Sequence, residues 1–292
     1  MLDSFLPDQL TVIVVTYNSA HCIEGLTPAL SALRHVMVVD NASEDGTAET
    51  VAAQLPHARI FRNDRNLGFG AANNRALREV KTPYALLLNP DCLPTPSAFS
   101  QLLDAAARFP DAAIIAPHLT NKAGEVEVNY RWPYSHWDSQ GPAATGPCCV
   151  GFICGAVMLF NMEVMRDIGF FDETFFLYYE DEDLCQRAFM AKKPMIIMPD
   201  IRVIHLSRGS TRGPRRLRAE FYRGYHHVQS KLIFTDKHVG QSAASRLRWK
   251  TMALAVAALP LRLLLPQPRY VARLLGRIAG LRKYVSPFRR TP

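Results

Sequence analysis

The sequence predicts an α/β protein with a mostly parallel central sheet and helices on both faces of the sheet. Short apolar, β-branched runs alternate with helix-like segments over the first 117 residues. These runs lack the polar alternation of a half-exposed strand, which is typical of strands buried on both faces. A chain of 292 residues, 48% of them hydrophobic, is long enough to bury one large core and to carry an appendage.

Residues 10–108 are predicted to form four strand–helix pairs. The predicted strands are Leu10–Thr16, Val36–Asp40, Ala58–Phe61 and an apolar run that ends at Asn89. The predicted helices cover residues 20–33, 47–55, 70–80 and 97–108. Alternation at this short spacing favours βαβ units, which place parallel strands side by side.

The pattern is less regular after a further strand at Ala113–Ala116. Asn121–Gly124 predicts a hairpin turn, and residues 129–147 predict a long loop that forms a wall for the substrate. Later elements are a strand at Cys154–Phe160, a helix over 181–191, strands at Met195–Met198 and Val203–His205, and a helix over 215–234.

Polar side chains follow three of the predicted strands. They belong to Thr16-Tyr17-Asn18, Asp40-Asn41 and Asn89-Pro90-Asp91. Pro90 has no N–H to donate, so its strand ends there. The carboxyl ends of parallel strands meet at one edge of the sheet, where open α/β proteins bind ligands. Each tip is also compatible with an ordinary polar turn, but three together predict a ligand site.

Gly68-Phe69-Gly70 and the following residues imitate the dinucleotide fingerprint. The segment follows the third strand rather than the first, and Asn73 stands where the third glycine belongs. We therefore reject that interpretation and expect Asn66–Asn74 to form either a helix start or a wall beside a nucleotide.

Four consecutive acids, Glu180–Asp183, open the predicted helix over 181–191. Acids are favourable at a helix N-terminus, but four neighbours repel one another unless a cation or a raised pKa relieves the repulsion. A general base in this run is therefore a credible hypothesis. His205 is compatible with a structural histidine or, beside Asp91, with a metal ligand.

The charge is divided unevenly along the chain. From Arg202 onward, 20 Lys and Arg face two acids, whereas the preceding residues hold 14 basic and 24 acidic side chains. The basic tail predicts an anionic partner, either a membrane surface or nucleic acid. Six cysteines without a CxxC pair favour a reduced, cytosolic protein, and the amino terminus shows no secretory signal.

The tail contains an apolar stretch, Met252–Leu265, that is too short to cross a bilayer and includes Pro260 and Arg262. Arginines recur among apolar residues over 269–283, which predicts a basic amphipathic helix suited to an anionic membrane surface. The alternative is a helix packed on the body with solvated arginines. We see no nucleic-acid recognition fold.

Taken together, these motifs resemble the family 2 inverting glycosyltransferases, especially their rhamnosyltransferase-like branch, over about residues 10 to 210. The matching segments are Val14–Asn18, Val39–Ser43 with Asp45-Gly46, Asn66–Gly70 with Asn73, Leu88–Asp91, Gly155, Phe171–Glu173, Glu180–Leu184 and His205. The resemblance implies a GT-A fold over residues 1–212, with a nucleotide-sugar half (1–117) and an acceptor half (118–212). Residues 213–292 would be a basic helical, membrane-associating extension.

The resemblance also implies roles for individual residues. The nucleotide sugar would bind at Thr16, Tyr17, Asn18, Asp40, Asn41, Gly68, Phe69, Asn73, Asn89 and Asp91. Asn89-Pro90-Asp91 would stand for the family's D-x-D motif, with Asn89 where many relatives carry Asp. Asp91 would bind Mg²⁺ or Mn²⁺ with His205 as second ligand, Asp181 would be the catalytic base, and Gly155, Glu180 and Asp183 would support the acceptor.

The expected function is therefore inverting transfer of a sugar from a nucleotide diphosphate, with dTDP-L-rhamnose as the favoured donor, to a lipid-linked or polysaccharide acceptor. We expect it at the cytoplasmic face of the membrane in cell-surface glycan synthesis. The alternatives are a UDP-sugar-dependent hexosyl or N-acetylhexosaminyl transferase and a non-catalytic sugar-nucleotide or membrane-binding module. The oligomeric state stays open, with a homodimer among the partners considered.

Overall fold

A computed structural model describes residues 6–131, 142–206, 216–264 and 267–288. The chain divides into two units. The first comprises Met1–Phe171 and Asp181–Thr211, and the second comprises Asp172–Glu180 and Arg212–Pro292. Part of the predicted wall loop, residues 132–141, lies outside the described residues.

The first unit is built on one large sheet and a small two-stranded sheet. Its strands are β1 (Leu10–Thr16), β2 (His35–Asp40), β3 (Arg59–Arg62), β4 (Tyr84–Leu88), β5 (Cys92–Leu93), β6 (Ile114–Thr120), β7 (Val126–Glu127), β8 (Tyr130–Arg131), β9 (Cys148–Cys149), β10 (Phe152–Ile153), β11 (Val157–Asn161) and β12 (Met195–His205). Its helices are α1 (Leu6–Gln9), α2 (Ala20–Leu30), α3 (Thr47–Gln54), α4 (Phe69–Leu77), α5 (Pro96–Arg108), α6 (Met162–Ile168) and α7 (Glu180–Met190).

The main sheet follows the order β3-β2-β1-β4-β11-β6-β12-β5. Strands β3, β2, β1 and β4 are mutually parallel, and β6 is parallel to β12. Strand β11 runs antiparallel between β4 and β6. The prediction of an α/β fold with a mostly parallel sheet is thus confirmed, with one reversed strand near its centre.

Both faces of the sheet are covered by apolar packing, as the sequence predicts. On β4, Leu86 and Leu88 belong to one buried cluster and Leu87 to the other. Strand β1 divides in the same way, with Val12 on one face and Ile13 on the opposite face. This division explains why these strands read as continuous apolar runs rather than as alternating ones.

Several boundaries differ from the sequence prediction. The two late strands are one strand, β12, because a register shift between Met198 and Arg202 interrupts the pairing but not the strand. The strand expected from Cys154 begins at Val157, and helix α6 was not predicted. The hairpin turn at Asn121–Gly124 is confirmed, since β6 pairs antiparallel with β7, and all six cysteines are free thiols.

The second unit contains helices α8 (Arg216–His238), α9 (Gln241–Leu264) and α10 (Pro268–Lys283). Phe175 is buried there together with Val228, Leu232 and Leu281. Helices α8 and α10 approach so closely that a side chain at Gly276 would overlap the Phe221 carbonyl oxygen. Within the described residues, no helix combines the length and apolarity needed to cross a bilayer.

We predict that Gly276→Ala lowers the unfolding free energy of the second unit by about 1–3 kcal/mol, because the added methyl group forces α8 and α10 apart. Thermal melting followed by circular dichroism at 222 nm measures the effect. Gly146→Ala is the matched control, since a methyl group there meets nothing within 4 Å. Equal melting temperatures for the two variants would contradict the close packing.

Candidate active site

The ends of β1 and β2 place Thr16 and Asp40 side by side. The two residues are paired in the parallel register, and the Thr16 hydroxyl donates a hydrogen bond of 3.2 Å to Asp40 Oδ1. Asp40 Oδ2 accepts a second hydrogen bond from the Ser43 N–H at 3.1 Å. Both side chains are buried, so the carboxylate is held in one orientation at the sheet edge.

The Asn41 side chain organises the loop that precedes α4. Its amide NH₂ donates to Asn66 Oδ1 at 2.9 Å and to the Gly68 carbonyl at 3.2 Å. Its Oδ1 accepts from Asn63 Nδ2 and from the Leu67 N–H, both at 2.9 Å. All these bonds lie within the protein, so the side chain positions the loop rather than presenting its amide to solvent.

Two turns at this edge use backbone conformations with positive φ. Asn18 has φ of 52° and Ala42 has φ of 65°, a region that most residues with a Cβ avoid. The Asn18 side chain accepts from the Glu44 N–H at 2.8 Å, and its own N–H donates to Ser43 Oγ at 2.9 Å. These bonds hold the two turns together beside Tyr17, whose side chain is 47% exposed.

The Asp45 carboxylate also connects these two turns through hydrogen bonds. Its Oδ2 accepts from the Ala20 N–H at 3.1 Å, and its Oδ1 accepts from Thr47. Burial alone would raise the pKa of Asp45, but the hydrogen bonds from Thr47 and Ala20 outweigh it and lower the pKa. Asp45 therefore stays ionised in its structural role.

The Asn89-Pro90-Asp91 turn leaves the end of β4 and is fixed to the end of β12. Strand β5 follows the turn and pairs antiparallel with β12, so that Cys92 lies opposite His205. The Leu206 N–H donates to the Asp91 carbonyl at 2.9 Å. As a result, Asp91 Oδ1 lies 3.7 Å from His205 Nε2.

The Asp91–His205 pair has the chemistry of a site for a divalent cation. One carboxylate oxygen, one imidazole nitrogen and the Cys92 sulfur lie within 4.8 Å of one another. Two bonds of about 2.1 Å can bridge the 3.7 Å between the oxygen and the nitrogen. Oxygen and imidazole donors suit Mg²⁺ or Mn²⁺.

The Cys92 thiol does not complete this ligand set. The side chain is fully buried, and the thiol donates a hydrogen bond to the Ala156 carbonyl at 3.7 Å. Burial, and then the Asp91 charge, raise the pKa of the Cys92 thiol well above its usual value. A metal ligand would have to be the thiolate.

Asp181, in the first turn of α7, faces Gly155 and Phe69. The Gly155 N–H donates to Asp181 Oδ2 at 3.0 Å, and the Glu182 N–H donates to Oδ1 at 2.9 Å. Burial raises the pKa of Asp181, and these hydrogen bonds together with the Arg131 charge oppose the rise without cancelling it. A carboxylate with a raised pKa is a stronger base than an exposed one.

Gly155 has little room for a side chain. A methyl group there would lie 3.3 Å from Phe69 Cε1 and 3.4 Å from Asp181 Cβ. Sequence reasoning placed Phe69, Gly155 and Asp181 in different parts of the site, and the structure brings them together. Glycine permits the close approach of Phe69 and Asp181 to position 155 because it has no side chain.

The next residue, Ala156, connects Asp181 to the Asn89-Pro90-Asp91 turn. Its carbonyl accepts from the Asn89 N–H at 2.8 Å and from the Cys92 thiol. Gly155 and Ala156, immediately before β11, therefore contact the Asp181 carboxylate and the turn that contains Asp91 through consecutive backbone groups.

The other acids of the run serve different contacts. Asp183 is buried and accepts from Arg187 Nε at 2.9 Å, while Arg187 Nη1 donates to the carbonyls of Ile168 and Gly169 at 2.7 and 3.1 Å. Glu182 pairs with Arg131 at 2.8 Å. Glu180 is buried at the start of the helix. The repulsion expected among four acids is relieved by two arginines, which sequence reasoning did not identify.

Helix α4 supplies a second wall. Gly68 precedes it with φ of 89°, and Asn73 Nδ2 donates to the Phe69 carbonyl at 3.0 Å. The neighbouring Asn74 exchanges two hydrogen bonds with the Phe171 backbone, and the Phe69 and Phe171 rings meet edge to face at 5.8 Å. Asn73 thus supports the helix, and Asn74 connects it to the segment that precedes α7.

Comparison with known proteins identifies relatives over most of the chain. Residues 11–169 match the family model described as Glycosyl transferase family 2. The chain is 28% identical over 280 residues to an N-acetylglucosaminyl-diphospho-decaprenol L-rhamnosyltransferase of Mycobacterium tuberculosis. This alignment covers 84% of this chain and 89% of the relative. It is 26% identical to the low-salt glycan biosynthesis hexosyltransferase Agl10 of Haloferax volcanii, over 62% of each chain.

Solved structures share the fold. A mannosyltransferase from Pyrobaculum calidifontis in complex with GDP-Man and Mn²⁺ superposes with a TM-score of 0.55 at 17% identity, covering 94% of this chain and 86% of that one. GalNAc-T7 with UDP, GalNAc and Mn²⁺ gives a TM-score of 0.53 at 14% identity, covering 68% of this chain and 43% of that one. These likenesses confirm the GT-A architecture.

We predict that Asn41→Asp lowers the free energy of unfolding by about 1–3 kcal/mol, because the added oxygen faces two acceptors, Asn66 Oδ1 and the Gly68 carbonyl, with no hydrogen to donate. Urea unfolding measures the loss. The control Gln101→Glu makes the same change of charge at an exposed position of α5. Matching urea midpoints for the two variants would argue against the central role of Asn41.

Proposed function

We propose a specific reaction for this chain, which belongs to glycosyl transferase family 2 and is a glycosyltransferase. It transfers L-rhamnose from dTDP-rhamnose to a hydroxyl group of a lipid-linked or polysaccharide acceptor. The transfer inverts the configuration at the anomeric carbon. The observation that carries the proposal is the connection made by Gly155 and Ala156, which joins a base-like carboxylate to a cation-binding turn.

The donor's nucleoside would bind at the ends of β1 and β2. Asp40 is oriented there by Thr16 and Ser43 and offers a carboxylate to the ribose or the base. Tyr17 and Asn18 flank this position, and Asn41 holds the Gly68–Phe69 segment that would close its other side. This arrangement supports binding of a nucleotide at the edge where the parallel strands end.

The donor's diphosphate would lie against Asp91 and His205, which would hold Mg²⁺ or Mn²⁺. A divalent cation bound there neutralises charge on the departing nucleotide diphosphate. Asn89 contributes no negative charge, so the diphosphate oxygens must supply more of the coordination than in a site with two acidic residues. The Cys92 thiol is hydrogen-bonded to the Ala156 carbonyl and is left out of this ligand set, whose oxygen and imidazole donors suit Mg²⁺ or Mn²⁺.

Asp181 would act as the general base. Its carboxylate takes the proton of the acceptor hydroxyl while the hydroxyl oxygen attacks the anomeric carbon, and the bond from that carbon to the diphosphate breaks. Attack on the side opposite the leaving group inverts the configuration in one step. The Gly155 N–H aims one carboxylate oxygen, and burial keeps the carboxylate basic.

Rhamnose is favoured as the donor sugar because the mycobacterial relative is named an L-rhamnosyltransferase and is similar over nearly its whole length. A second candidate is transfer of another hexose from a UDP-sugar, which the archaeal hexosyltransferase favours. Thermal-shift measurements with dTDP-rhamnose and UDP-sugars in the presence of Mn²⁺ separate the two candidates, because a ligand of the native state raises its melting temperature.

The cellular setting is part of the proposal. A lipid-diphosphate-linked acceptor, like that in the name of the mycobacterial relative, would place the enzyme at the cytoplasmic face of the membrane in cell-surface glycan synthesis. The basic C-terminal helices supply the complementary charge for an anionic surface.

We predict that Asp181→Asn reduces sugar transfer by about 10²- to 10⁴-fold and leaves nucleotide affinity unchanged, because the amide accepts the Gly155 hydrogen bond but cannot take a proton. In the wild type, kcat/KM should fall at acidic pH with an apparent pKa above that of an exposed aspartate, since the base must be ionised. Asp104→Asn, on the exposed side of α5, is the control. Transfer above about a tenth of the wild-type rate would remove Asp181 from this role.

We predict that Asp91→Ala abolishes the part of donor affinity that depends on Mn²⁺. Calorimetric titration of dTDP-rhamnose, or of the UDP-sugar that binds best, with and without Mn²⁺ measures this part. Asp111→Ala, at an exposed position before β6, should keep it. Unchanged Mn²⁺ dependence in Asp91→Ala would count against a cation at this turn and would leave the role of Asp181 untouched.

A further inference from the structure

Helix α9 exposes an apolar surface on one half of its circumference. Five large side chains there are between 54% and 81% exposed: Leu254, Val256, Leu261, Leu263 and Leu264. At 3.6 residues per turn these positions, with exposed Ala253, Ala257 and Pro260, cover about half of the helix surface. The opposite side contains Ala255, which is buried.

The surface continues toward the start of the helix with a different composition. Trp249 lies on the same side and is 70% exposed, and Arg246 and Lys250 flank it. Arg248, on the other side, donates from Nε to the Leu281 carbonyl at 2.8 Å and so holds α9 to α10. The exposed half of α9 therefore changes from basic and aromatic to entirely apolar along its length.

Helix α10, which sequence patterning favoured as the membrane-facing element, uses its inner side within the unit. Gly276, Gly280 and Leu281 are buried, and a side chain at Gly280 would lie 2.7 Å from the Tyr225 carbonyl oxygen of α8. Some of the apolar positions that gave α10 its amphipathic pattern are thus buried against α8, whereas the apolar positions of α9 named above are exposed.

The ionisable groups of α9 and α10, apart from Tyr270, carry charge of one sign. Residues 241–283 contain nine Lys and Arg and no Asp or Glu. Arg262 and Arg269 lie at the apolar end of α9 and the start of α10, where both guanidinium groups stack near the Tyr270 ring at 5.1 and 5.0 Å. Arginine, tyrosine and tryptophan bordering an apolar surface match the layered polarity of an anionic bilayer interface.

From these observations we infer that the exposed half of α9, from Trp249 to Leu264, is a membrane-docking surface that inserts shallowly into an anionic phospholipid bilayer. The apolar segment from Ala253 to Leu264 is about 18 Å long, which suits a helix lying in the interface rather than crossing it. A surface without polar positions across half of a helix is better matched by acyl chains than by a folded protein, whose interfaces carry a polar rim. The inference is independent of the donor and the metal.

The test compares the full-length protein with Leu261→Glu/Leu264→Glu in cosedimentation with vesicles of phosphatidylglycerol and phosphatidylcholine in equal amounts. We expect the bound fraction to fall about tenfold or more, because two carboxylates would have to enter the acyl region. Met190→Glu/Val239→Glu is the matched control, since both residues are 69% exposed and the change of charge is the same. This control should bind like the wild type.

Circular dichroism checks that each variant is folded, and sedimentation velocity gives its oligomeric state. Binding by the wild type should persist in part at high salt, because the apolar contribution is not screened. Equal vesicle binding by the α9 variant and the control would overturn the proposal. It would also be overturned if the wild type did not bind vesicles and the α9 variant only converted a dimer to a monomer, which would identify the surface as an interface between two copies.

Discussion

The hydrogen bond from the Gly155 N–H to the Asp181 carboxylate is the contact on which the geometry of the candidate site depends. Burial makes this carboxylate basic and would leave it poorly solvated without a donor. A backbone N–H supplies the donor without adding a charge, and glycine leaves room for Phe69 beside it. Because the adjacent Ala156 carbonyl accepts a hydrogen bond from the Asn89 N–H, the candidate base and the candidate cation-binding turn are positioned from one short segment.

The reversed direction of β11 explains how that segment reaches the site. The parallel strands β1, β2 and β4 end at the edge where Thr16, Asp40 and Asn89 lie, and the antiparallel strand β11, which lies between β4 and β6, begins there. Gly155 and Ala156 immediately precede β11, so they meet the turn after β4 directly. Groups held by rigid strands keep their geometry better than groups held by loops alone, as catalysis requires.

Sequence patterning predicted the elements whose signal is local. Strand β1 has the predicted bounds, and α3, α5 and α7 lie within a residue or two of their predictions, because apolar periodicity and strand-ending residues such as Pro90 act over a few positions. The partners of the acidic run were not predictable in this way. Arg131 pairs with Glu182 across 51 residues, and Arg131 lies in a stretch whose pattern is irregular. The hydrogen bonds of Asn41 to Asn63 and Asn66, across 22 and 25 residues, also lie beyond the reach of a local pattern.

The sequence by itself determined the α/β class, the family resemblance and the list of polar residues at the strand ends, because each rests on residue types at short, ordered spacing. Only the tertiary structure decided that β11 runs against its neighbours, that Gly155 touches Asp181 and that α9 rather than α10 presents its apolar side outward. A helix pattern states which residues share a face, but the packing of α10 on α8 through Gly276 and Gly280 decides which face is already covered.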